Sequence, residues 1–141
     1  MKRSENALRI LLQIIGVVFL VALLAVVMPT PWMDAIHRRL GLGELPRAPI
    51  VEYLTRSLSL MYALLGALFL YMARDVRRYA SLVGFFAAVS IVAGGILLGI
   101  DLYAGLPLDW IVFEGPVAVV LSVVLLVLAR RVSTSPSTGN S

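Results

Sequence analysis

Cysteine is absent from this sequence, and histidine occurs once, at His37. The first absence excludes disulfides, thiolate metal sites and any membrane redox chemistry that needs a Cys pair. The second excludes a His-rich metal centre within one chain. Charge is scarce as well. Asp, Glu, Lys and Arg make up 14% of the residues against 60% hydrophobic ones, and the mean hydropathy is +0.96. A soluble domain of 141 residues needs far more polar surface. The chain also lacks a Gly-rich phosphate loop and a nucleophile elbow. No metal and no cofactor is expected, and an enzymatic role has the least support in the sequence.

What remains is a set of long apolar runs, which predict an all-α integral membrane protein. Four spans are expected, at about 8–28, 50–73, 81–101 and 110–130, each long enough for a hydrocarbon core of about 30 Å. They make one domain, a four-helix bundle over residues 1–131, followed by a small polar tail, VSTSPSTGNS, expected to be disordered. The first run competes with a signal peptide, because Lys2, Arg3 and Arg9 form a basic leader. The run is longer than an ordinary signal core and no A-x-A site follows it, which favours an uncleaved span.

The connection 29–49 carries its own helix signal. Thr30 is placed to cap, Pro31 suits a first helical position, and Trp32, Ile36 and Leu40 recur every four residues. Gly41 and Gly43 are suited to end it. A short amphipathic helix over about 31–40 is expected to lie in the membrane interface with Trp32 at headgroup level. A lid over a pocket is the alternative.

The 12 Lys and Arg fix an orientation. Eight lie in the N-terminal segment, in the turn 74–79 and at Arg130 and Arg131. The other four (Arg38, Arg39, Arg47 and Arg56) lie in or next to the first loop. The positive-inside rule then places both termini in the cytoplasm. Residues 99–116, GIDLYAGLPLDWIVFEGP, become an outer turn, which accounts for their having no Lys or Arg.

That turn nevertheless holds Asp101, Asp109 and Glu114. Asp109 reads as an N-cap before WIVF. Glu114 lies about 24 Å along a helix from Arg130, and Arg56 about 27 Å from Arg74, so the two share a depth. A charge inside a span is costly, roughly 2.5–3.5 kcal/mol for Asp at a helix centre, and such groups normally pair. Arg56 is the expected partner of Glu114 and already stands four residues after Glu52, the favourable order for a helix pair. An outward polar cluster of Glu52, Arg56, Asp101 and Glu114 is therefore expected, roofed by His37 and Trp32. It reads either as a structural salt bridge or as a ligand or proton site. Pro116 leaves two starts for the last span, near Trp110 with a kink or at Glu114 itself.

Helix packing is expected at the G-x-x-x-G of Gly95 and Gly99, with Gly84 and Ala88 earlier on the same helix. The facing small residues are Ser59, Ala63 and Ala67 in span 2 and Ala118 and Ser122 in span 4. Homodimerisation through Gly95 and Gly99 is the alternative use of that motif.

The segment IHRRLGLGELPRAPIVEYLTRSLSLMYALLGALFLYMARDVRRY, residues 36–79, resembles a pattern in small bacterial membrane proteins with four spans and a long outer first loop. In general layout the chain is also similar to DoxX-like proteins, with no motif residue in common. The resemblance implies a four-span layout in a bacterial inner membrane and brings no activity. Three functions follow as expectations: an accessory, scaffold or oligomeric membrane subunit with the bilayer and a second copy or another membrane protein as partner; a binder or transporter of a small or lipidic molecule; and an enzyme acting on a lipid or quinone through Glu114 or Asp101.

Overall fold

A computed structural model describes residues 2–134. Every regular element among them is a helix: α1 Lys2–Val21, α2 Leu23–Val27, α3 Thr30–Arg39, α4 Pro49–Met72, α5 Val76–Ala104 and α6 Leu108–Ser133. Four are long and apolar enough to cross a membrane: α1 with α2 as one rod of 26 residues, then α4, α5 and α6 with 24, 29 and 26. At Ala22 the first rod tightens without ending, because Ala22 N–H bonds Phe19 O and Ala25 N–H bonds Ala22 O, the i→i+3 pattern.

The helices run past the expected limits where polar residues still fit the helical pattern. The first begins at Lys2, whose turn carries Glu5. The basic turn shrinks to 73–75, because Asp75 caps α5 by accepting from Arg78 N–H at 3.1 Å. The last helix extends to Ser133 and buries Val132, so the expected tail starts later; residues 135–141 of it lie outside the described residues. Pro116 sits inside α6, which begins at Leu108. The start at Glu114 is thus excluded. Pro107, not Asp109, is the N-cap, and Asp109 stands in the first turn.

Two pairings organise the chain. α4 packs chiefly against α1 and α2, and α5 against α6. Each crossing is set by glycine. A methyl group on Gly66 would fall 2.6 Å from Gly16 O and 2.8 Å from Leu20 N, so these backbones touch. On the other pair, Gly94 lies against Val119 and Gly115 against Leu98. The expected G-x-x-x-G takes no part: a methyl on Gly95 or Gly99 meets nothing within 4 Å. One residue of register separates Gly94 from Gly95, and that residue turns the side chain by about 100°. Ala63 and Ser122 are buried as the packing reading requires, Ser59 and Ala118 are half-buried, and Ala67 is exposed.

The pairs share a core at the end that carries most of the Lys and Arg. Leu8 and Leu12 of α1 are fully buried there among Met72, Val76, Val83, Leu125 and Ala129. Edge-to-face rings extend this core along the helices, with Phe19 against Tyr62 and Phe69 at 5.4 and 5.8 Å and Phe69 against Phe86 at 5.3 Å. An ion pair, Arg77 Nη2 to Glu5 Oε1 at 2.7 Å, ties α5 to the first turn of α1.

Candidate functional site: the polar groups around the first loop

The end of the helices away from the N-terminus of α1 is built on three proline-marked junctions. Met28 is extended (φ −66, ψ 135) and Pro29 follows, so α2 stops and its last carbonyls lose their intrahelical donors. Pro29, not Thr30, precedes α3 as its N-cap, and no side chain caps there. Thr30 Oγ1 donates instead to Glu52 Oε1 at 3.2 Å, one turn into α4. Arg56 completes the junction. Its Nε and Nη2 donate to Glu52 Oε1 at 3.2 and 2.7 Å, Nη2 donates to Met28 O at 3.2 Å, and Nη1 donates to Val26 O. The guanidinium therefore closes the end of α2 from the side of α4, with Glu52 holding it in place.

This geometry corrects the expected pairing. Arg56 and Glu114 do not bond each other, because α4 packs on α1 and α2 while α6 packs on α5. Glu114 Oε2 accepts from Trp110 Nε1, one turn back on its own helix. Of the six residues expected to cluster, only Glu52 and Arg56 bond each other. Trp32 does not roof them. It is exposed and, with Ile36, Ala35 and Arg39, borders a shallow hollow on the outer face of α3, whereas Met33 faces inward.

His37 serves α3 itself. Gly41 and Gly43 both have left-handed backbones (φ 75 and 81). Gly41 N–H bonds Arg38 O and Leu42 N–H bonds His37 O, the paired bonds of a Schellman cap. The chain then folds back, and His37 Nδ1 donates to Gly43 O at 3.0 Å. Asp34 accepts from Leu45 N–H at 2.8 Å and from Arg38 Nε at 3.0 Å, while Arg38 also meets Glu44 at 3.2 Å. The Leu45 amide, then the Arg38 guanidinium, hold the Asp34 carboxyl below the usual carboxylate range. A lowered value means the bond contributes above the ordinary carboxylate pKa and is lost as pH falls through the lowered one. Acidification below about pH 4 is expected to release the 41–48 loop, read as loss of hydrogen-exchange protection at the Leu45 amide. Asp34→Ala is expected to remove that protection at neutral pH and to leave α4 unchanged. A Leu45 amide equally protected in both proteins would refute the assignment.

Asp101 stands apart. It is 3% exposed, on the last turn of α5, and its Oδ2 has no hydrogen-bond partner among the described residues. Its backbone carbonyl accepts from Leu106 N–H as Gly105 (φ 67) turns the chain toward α6. Among the described residues, no three His, Asp or Glu side chains are grouped to hold a metal ion. The Glu52–Arg56 pair carried a sequence signal in its four-residue spacing. The contacts of Arg56 with α2 and the Glu5–Arg77 pair did not, because they depend on how neighbouring helices are rotated.

No family model, curated protein or solved structure matches the chain.

Proposed function

We propose that the chain is a small multi-pass protein of the bacterial inner membrane, with both termini in the cytoplasm, acting without catalysis as an oligomeric or accessory membrane subunit. The observation that carries this reading is the open face of α5. Gly95 and Gly99 have free space before them, and Val92 and Ile96 beside them are 64% and 60% exposed. Glycines on a span without a neighbour leave room for another helix to come close in a bilayer. Within this chain, Gly16–Gly66 and Gly94–Gly115 show the same use of glycine. The outer charges support it too: Arg56, Glu52 and Asp34 are engaged in holding helix ends and a loop.

The absence of cysteine makes the test direct. Val92→Cys, oxidised in intact membranes, is expected to give a covalent dimer, and Leu64→Cys on the lipid side of α4 is not. Equal crosslinking of both, or of neither, removes the homo-oligomer. A second reading, a binder of a small ligand or proton, is favoured by the unbonded carboxylate oxygen of Asp101. It requires Asp101→Asn to change a ligand or pH response without loss of folding.

A further inference from the structure

At the basic end, an open groove of about 440 Å³ runs along the α5–α6 contact. Its two ends differ in chemistry. Ser81, Arg130 and Ser133 line the end nearest the chain's basic turn; Gly84 and Ala88 make an apolar floor between Phe85 and Leu126. Gly84 lies against α6, where a methyl would sit in ordinary contact with Ala129 Cβ at 3.7 Å, so only a larger side chain would fill the floor. Phe85 is 68% exposed, so the groove opens sideways from the helix pair.

The charge of this end is lopsided. Eight Lys and Arg stand against Glu5 and Asp75, a surplus of six positive charges. The outer end has four Arg against six acids, and together these give the net +4. Glu5 is taken by Arg77 and Asp75 by the α5 cap. The Arg130 side chain has no carboxylate partner among the described residues. Arg77 and Arg78 stand one turn before Ser81 on the same helix.

We infer that this groove binds one acidic phospholipid, with the phosphate on Arg130 and the Ser81 hydroxyl and an acyl chain over Gly84 and Ala88; the Ser133 hydroxyl already donates to Arg130 O at 3.0 Å. The inference rests on the membrane reading above. An amphiphile is required because one groove joins a cationic end to an apolar floor that opens sideways. An acidic head is required because a zwitterionic one brings its own cation and leaves the surplus unbalanced. The guanidinium suits phosphate through paired N–H donors.

The test uses the full chain in detergent, with phosphatidylglycerol and phosphatidylcholine of the same acyl chains in equal amounts, read by native mass spectrometry. Wild type is expected to retain phosphatidylglycerol about tenfold over phosphatidylcholine, and Arg130→Gln to bring the two level, as loss of one charge-assisted contact would. Gly84→Leu, with helicity checked by circular dichroism, is expected to lose both lipids because its side chain fills the floor. Arg39→Gln, at the other end, leaves the preference intact, and excess glycerol 3-phosphate does not displace the lipid. Equal retention by wild type, a preference that survives Arg130→Gln, lipid still bound by Gly84→Leu, or displacement by glycerol 3-phosphate would each overturn the site. The membrane reading fails separately, if the chain leaves washed membranes without detergent before any lipid is added.

Discussion

Gly66→Ala is expected to destabilise the chain by about 2–3 kcal/mol, the upper part of the range for overpacking a tight contact. The added carbon would lie 2.6 Å from Gly16 O and 2.8 Å from Leu20 N, and both atoms belong to the backbone of α1. A flexible side chain could rotate away; these atoms move only if the whole helix moves. Displacing α1 at this level also disturbs Phe19, which packs on Tyr62 and Phe69. Gly94→Ala meets Val119 Cγ2, a side-chain atom, and is expected to cost less. Gly95→Ala is the contrast. With no neighbour to meet, it gains about 0.5–1 kcal/mol of helix propensity within one chain. Unfolding of the three variants in mixed micelles, followed by circular dichroism, gives the order. A Gly66→Ala protein as stable as Gly95→Ala would show that the α1–α4 crossing is misplaced.

Arg56→Ala is expected to cost a similar amount, about 2–3 kcal/mol. The side chain makes hydrogen bonds to a carboxylate and two carbonyls, each worth roughly 1.5–3 kcal/mol when the group is charged but not additive. Its side chain is 30% exposed, and water recovers part of the loss. The damage is local in origin: Val26 and Met28 lose a donor that no backbone N–H replaces, since the chain leaves the helix at the extended Met28. Glu52, which also accepts from Thr30, loses the guanidinium that holds it in place, so α3 is expected to exchange amide protons faster in the variant. Arg56→Lys recovers only part, because an ammonium cannot span the carboxylate and the carbonyls as a planar fork does. A double-mutant cycle adds a sharp condition. Arg56→Ala and Glu114→Gln should be additive within about 0.5 kcal/mol; a larger coupling would restore the cross-helix pair that shared depth suggests.

That pair shows where sequence reading stops. Rise along a helix is fixed per residue, so Arg56 and Glu114 could be placed at one depth by counting. Which way each points around its axis depends on the neighbour it packs against, and no count supplies that. The four apolar runs, the proline in the first turn of α3 and the glycines closing α3 were all local signals, and the structure follows them. The Glu52–Arg56 spacing was local as well. Failures share one cause. Gly95 and Gly99 form a recognisable motif, yet the isolated Gly16 and Gly66 lie at a crossing, because contact depends on register rather than on repetition. Glu5 was hidden among polar residues that looked like a leader, and its value comes only from Arg77, far along the chain.

The two pairings also differ in when they can form. α5 and α6 are joined by a short turn, so the second arrives while the first is fresh. α1 has its partner beyond α3 and a folded loop, and it must spend part of synthesis without α4. Through that interval the Gly16 surface, shaped to admit a backbone, faces whatever else is at hand. The chain is thus most open to wrong partners early, at its first helix, and each residue that hastens the return of α4 shortens the exposure. Arg56 fastens α4 to the end of that first rod once it has returned.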